Sequence, residues 1–179
     1  MGERALESYW LSCHPETPAI RVDAIQVQLE RIGNDLWLRY FVECDPDRLA
    51  LPNPTAPNRT DDLWKHTCFE AFVGKSAYSE FNFSPSSEWS AYEFDAYRKG
   101  MRNRAVDCDP RIGIDASDSH FALEATFDVE GLDGSLAISA VIEERDGTKS
   151  YWALAHPPGA PDFHHPTCFA ATLPAPEMP

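Results

Sequence analysis

Alternation of apolar and polar residues, broken at short intervals by turn formers, constrains this chain more than any other feature. In Ile25-Gln-Val27-Gln-Leu29 and in Leu36-Trp-Leu38-Arg-Tyr40-Phe-Val42, every second residue is apolar. A period of two puts those side chains on one face of a strand, whereas a helix would scatter them. Gly33-Asn34-Asp35 separates the two runs, and Gly and Asn tolerate the positive φ that a tight hairpin needs. Further strands are expected at 68–73, 78–84, 89–95, 121–129, 136–143, 150–155 and 169–173, with a hairpin turn at Asp146-Gly147. Only 95–103 has room for a short helix. Pro46, Pro52, Pro54 and Pro57 bar residues 46–58 from a central strand and make them a long loop. Three prolines in 174–179 predict a frayed tail. Eight or more short strands without a long amphipathic helix predict an all-β fold, an antiparallel β-sandwich or barrel. A length of 179 residues suits one domain, 1–179, with a real core.

Charge narrows the partners. Fifteen Lys and Arg against 29 Asp and Glu leave a net charge of −14, which repels phosphate backbones and anionic lipid. Nucleic acid and membrane are therefore not expected as partners, while a neutral or cationic small molecule is compatible. The N-terminal residues lack a charged region followed by an apolar run, and no stretch is long enough to span a bilayer. The five cysteines (Cys13, Cys44, Cys68, Cys108 and Cys168) are odd in number and scattered, without a Cys-x-x-Cys pair. Reduced thiols in a cytoplasmic protein are the expectation.

The aromatic-rich centre, Trp64 to Arg98, carries the candidate site. On 68–73, Cys68, Glu70 and Phe72 share a face; on 78–84, Tyr78, Glu80, Asn82 and Ser84 share one. A connection of three or five residues brings these faces together and sets Glu70 beside Glu80 or Asn82. Carboxylates and an amide beside Trp64, Tyr78 and Trp89 suit a sugar-like ligand: its hydroxyls need acceptors and donors, and its ring faces stack on indole. The plain alternative is that Glu70, Glu80 and Asn82 are solvated residues on the outer face of a sheet.

The segments LWKHTCFEAFVG and YSEFNFSPSSEWSAYEFDAYRKGM, with AVIEERDG and SYWALAHPPGAPDFHHPTCFA further on, resemble the DOMON-like superfamily. Within it they are similar to the family 9 carbohydrate-binding-module-like domains and to the stand-alone bacterial branch; the likeness runs from about residue 61 to 169. The resemblance implies a jelly-roll-like sandwich with a ligand site on one sheet or at its rim. It also implies a stacking role for Trp64, hydroxyl acceptance by Glu70 six residues on, and an amide contribution from Asn82. A second stacking group would come from Trp152 or from Phe163-His164-His165. Other DOMON-like proteins bind haem through His and Met, so the cofactor stays unknown.

Other groups admit both a chemical and a plain reading. Asp162, His164 and His165 could hold a metal, or be packed loop residues, since adjacent side chains on an extended chain point apart. His66, Cys68 and Glu70 form a period-two row, with Cys68 read as buried filler. Met101 and His66 could imitate haem ligands. Glu70 and Glu80 could imitate a glycosidase pair. Ser84 or Ser86 with Asp95 has no nucleophile elbow around it. Arg98, Lys99, Arg102 and Arg104 either grip an anionic ligand group or pair with neighbouring acids. The expectation is a non-catalytic domain binding a carbohydrate-like or polyhydroxylated molecule through Trp64, Glu70, Glu80, Asn82, Trp89, Tyr92, Arg98, Trp152 and His164. Trp64 should then be partly exposed beside Glu70. The alternative is a metal- or haem-linked enzyme or redox module using His66, His164 or His165. A sandwich that associates as a homodimer through a sheet edge is a third.

Overall fold

The computed structural model describes residues 6–176. Thirteen strands follow in order: β1 (Glu7–Cys13), β2 (Val22–Ile32), β3 (Asp35–Cys44), β4 (Asn58–Arg59), β5 (Cys68–Gly74), β6 (Tyr78–Phe83), β7 (Glu88–Phe94), β8 (Arg102–Asn103), β9 (Arg111–Ala116), β10 (His120–Asp128), β11 (Ser135–Glu143), β12 (Lys149–Ala153) and β13 (Ala171–Thr172). The described residues contain no α-helix, only 3-10 turns at Pro46–Arg48, Leu63–Lys65 and Pro166–Cys168. No helix among them is long and apolar enough to cross a membrane.

The alternation at 25–42 becomes the β2–β3 hairpin. Ile25, Val27 and Leu29 from one strand and Leu36, Leu38, Tyr40 and Val42 from the other are fully buried. Gly33 turns the chain with φ +62°, the left-handed backbone that glycine adopts without a Cβ penalty. The short helix at 95–103 does not form. Arg98 and Gly100 take positive φ (+54° and +72°), Ala96 bridges to Lys99, and the chain enters β8. The positive φ of Gly100, which side-chain-bearing residues rarely adopt, favours glycine at this tight turn. Sequence reading also passes over β1, β4, β8 and β9, which are short or weakly alternating.

The strands run β4-β7-β6-β5-β11-β12-β1-β2-β3-β10-β9 across one sheet, with β8 added to β7 and β13 to β11. Its ladders are antiparallel except β4–β7, where Asn58 and Arg59 lie parallel to Glu88 and Trp89. The sheet is therefore mixed rather than purely antiparallel. The proline-rich segment supplies the exception, returning to the edge as a two-residue strand. The sheet curls at β1, whose residues Glu7 to Leu11 pair with β2 while Ser12 and Cys13 pair with β12.

The curl brings its two halves face to face. Phe69 of β5 meets Tyr40 and Phe121 (ring centroids 5.0 and 6.0 Å), and Phe81 and Phe83 of β6 meet Phe127 (4.6 and 4.9 Å). Tyr40 Oη donates to the Glu70 carbonyl at 2.6 Å, tying the halves together inside an otherwise apolar layer. β5 and β6 are buried on both faces. Their inner face packs on the opposite half of the sheet. Their outer face lies in a second cluster of Phe72, Tyr78, Tyr92, Phe94, Val141, Phe163 and Cys168.

Candidate functional site

The two polar faces expected on β5 and β6 do coincide. Three residues, Lys75 to Ala77, join the strands, and the register sets Glu70 opposite Asn82 and Phe72 opposite Glu80. Glu70 and Glu80 are thus diagonal neighbours on one face, near enough for long side chains to interact. They are not solvated surface groups: Glu70 is 2% exposed, Glu80 4% and Asn82 0%. Ser139 Oγ of β11 donates to Glu70 Oε2 at 3.1 Å, and Asn82 Nδ2 donates to Glu80 Oε1 at 2.9 Å.

Above this face lies a pocket of about 350 Å³. Glu70, Phe72, Glu80, Phe94 and Val141 come from the strands, Tyr151 from β12, and Trp64, Arg98, Met101, Pro161, Phe163 and His164 from three flanking segments. Trp64 sits on the 3-10 turn at Leu63–Lys65, partly exposed, with its ring edge-on to Tyr92 at 6.0 Å. Tyr92 is almost wholly buried and donates to Asp61 Oδ1 at 2.6 Å, which fixes the segment just before Trp64. Arg98 reaches across to Asp162 Oδ1 at 2.7 Å, and Tyr97 Oη also donates to Asp162. This clasp joins the 95–101 turn to the proline-stiffened 157–165 segment.

A chain of polar contacts connects the rim to the floor. The Arg98 N–H donates to Tyr78 Oη at 3.2 Å, and Tyr78 Oη shares a 2.8 Å hydrogen bond with His164 Nδ1. Tyr78 Oη thus links the Arg98 backbone to the imidazole, whose Nε2 lies 3.7 Å from Glu80 Oε2. Burial, helped by the Arg98 charge, lowers His164 to about 4, so the ring is neutral at physiological pH. Burial pushes the Glu70 carboxyl well above the usual carboxylate range, and Glu80 adds to the rise against the Ser139 hydrogen bond. Glu80 is pushed up to about 7 by burial, against its Asn82 hydrogen bond and the Arg98 charge. Burial of both acids, and the nearness of Glu80 to Glu70, thus favour their protonated forms.

Of the expected site residues, Trp64, Glu70, Glu80, Arg98 and His164 line the pocket; Asn82 and Tyr92 support it from behind. Trp89 and Trp152 face the other way. Trp89 lies in the core between the sheet halves with the Arg59 guanidinium 4.4 Å from its ring, and Trp152 lies in the same core, donating to Ser150 Oγ at 2.9 Å. Neither walls the site, because each is one residue out of phase with the pocket face. The in-phase neighbour Tyr151 takes the place expected of Trp152. Phe72 and Phe94 were readable from the same parity, since Phe72 alternates with Glu70 and Phe94 with Tyr92. Val141, Met101 and Pro161 required knowledge of the strand order and loop paths.

The histidines of the alternative reading separate. His66 is exposed and bonds Glu143 Oε2 at 2.7 Å, outside the pocket that Met101 borders. His165 turns away from His164 and accepts the Thr167 N–H at 3.2 Å. Asp162, committed to Arg98 and Tyr97, does not converge with them. Among the described residues, Asp107, Asp128 and Glu130 alone bring three such ligand atoms within 4.8 Å, and none of them lines the pocket. Cys68 is fully buried and burial drives its thiol pKa well up, as befits filler. Of the basic cluster, Arg102 pairs with Glu93 and Asp95 and Arg104 with Glu93, which leaves Arg98 as its pocket member.

No protein-family model matches the sequence, and no curated protein matches it significantly. Among solved structures, the fold is similar to that of a "putative carbohydrate-binding protein" from Bacteroides uniformis ATCC 8492, with a TM-score of 0.64 at 14% identity over 91% of this chain and 84% of that one. At such low identity the likeness speaks for the fold: a nearly all-β chain built on a curled mixed sheet.

Proposed function

We propose that this chain is a single DOMON-like, jelly-roll-type sandwich domain that binds a small carbohydrate-like molecule in the pocket between Trp64 and His164. The observation that carries the reading is the pairing of two buried carboxyls, Glu70 and Glu80, with an aromatic-walled opening of about 350 Å³. That volume is at the small end of the ~300–1,000 Å³ range of ligand pockets, which favours one sugar ring over a polysaccharide. Carboxyls at the floor accept from hydroxyls, while Trp64 and Tyr151 offer flat apolar surfaces to a ring. Similarity of fold to a protein described as carbohydrate-binding adds support. Five unpaired thiols fit a reducing, cytoplasmic setting.

The test is a thermal-shift screen of monosaccharides and sugar derivatives, followed by calorimetry on the hits with the parent and Trp64→Ala. We expect a saturable rise in Tm with at least one sugar and a loss of affinity of about tenfold or more in the variant. Binding that is unchanged by Trp64→Ala would move the site elsewhere.

A second reading is favoured by Glu80, whose raised pKa suits a general acid near neutral pH. In that case Glu70 and Glu80 would act on a glycosidic bond. Turnover of nitrophenyl glycosides, abolished by Glu80→Gln, would support hydrolysis; saturable sugar binding without turnover supports the binding domain.

A further inference from the structure

The pocket floor is rich in acceptors and poor in donors. Glu70 receives Ser139 Oγ, Glu80 receives Asn82 Nδ2, and the fully buried Asn82 Oδ1 has no partner among the described residues. Arg98, the cation in the pocket lining, is bonded to Asp162 rather than to Glu70 or Glu80, although its charge reaches Glu80. His164, neutral through burial, lies 3.7 Å from Glu80 Oε2. The lining is meanwhile aromatic, with Trp64 and Tyr151 partly exposed and Phe72 and Phe94 buried at its base. Buried carboxyls of this kind must hold a proton or meet a positive charge.

We propose that the ligand taken at this site carries a protonated amine, seated against Glu70 and Glu80 beneath the aromatic walls. An ammonium brings three donors and no acceptor, which matches the floor, and its charge is attracted to aromatic faces. A hydroxyl brings one donor together with lone pairs that would meet further acceptors. The chain's net charge of −14 also draws cations towards it. Resting on the carbohydrate reading, this names its ligand class as an amino sugar.

Calorimetry near neutral pH with glucosamine, glucose, N-acetylglucosamine and cyclohexylamine tests the inference on the unmodified chain. Glucosamine should bind at least about tenfold more tightly than glucose or N-acetylglucosamine. In Glu80→Gln, checked for folding by circular dichroism, that preference should largely vanish. Equal binding of glucose and glucosamine overturns the amine and leaves the carbohydrate reading standing. Cyclohexylamine binding as tightly as glucosamine upholds the amine and overturns the sugar. Absence of any amine-dependent binding in the panel overturns this inference whatever the neutral sugars do.

Discussion

Glu80 shows how position alone changes the chemistry of a side chain. On an outer sheet face it would be an ordinary solvated carboxylate; beneath Phe94, Phe163 and His164 it ionises only at about 7. The folded chain therefore keeps a proton that the unfolded chain has already released. Unfolding releases it, so stability is full below the ordinary glutamate range and falls as pH rises through about 7. Between about pH 6.5 and pH 8, above the range in which the lowered His164 acts with the opposite sign, thermal melts should show Tm falling, with Glu70 adding to the fall, and Glu80→Gln should lessen it because Gln does not titrate. A parent Tm that rises over this window would contradict the buried-acid description. Tyr40 offers a second test at this scale. Its hydroxyl makes a fully buried bond to the Glu70 carbonyl, and Tyr40→Phe should cost about 1–2 kcal/mol by chemical denaturation. A variant as stable as the parent would mean that the bond is replaced by another donor.

At the scale of elements, alternation was the most legible signal in the sequence. It located the β2–β3 and β5–β6 hairpins and set Glu70, Glu80 and Asn82 on one face. It also held the information needed to reject Trp89 and Trp152, yet chemistry drew attention to indoles rather than to the in-phase Tyr151. Parity fixes which face a side chain takes, but it does not say which distant strand lies beside it. The approach of β11 to β5, which brings Ser139 to Glu70, joins residues 69 positions apart and leaves no local mark. Loop paths were equally hidden: nothing near Asp162 in the sequence announces Arg98. Two predictions follow from the loops. Gly74 has φ +148°, and a Cβ there would lie 2.4 Å from the Ala77 carbonyl, so Gly74→Ala should destabilise the chain on the order of 1–3 kcal/mol. Asp162→Ala should release the clasp, seen as faster amide exchange across 157–165, while global stability changes by less than about 1 kcal/mol because Arg98 is exposed. Exchange rates equal to those of the parent would show that the prolines, not the clasp, hold that segment.

For the whole molecule, one sheet curled on itself divides the labour between its two faces. The concave side carries the large apolar core that stabilises the fold. The outer face of β5, β6 and β7, freed from that task, can afford buried acids because Ser139, Asn82 and the flanking segments enclose them. The central claim, that this enclosed face takes a sugar-like ligand, is tested most directly by a crystal structure of the chain with a sugar from the binding screen. The account predicts density for the sugar in the pocket, its ring against Trp64 or Tyr151 and a polar group within hydrogen-bond distance of Glu70 or Glu80. A sugar bound elsewhere, with the pocket unchanged and Trp64 untouched, would contradict it.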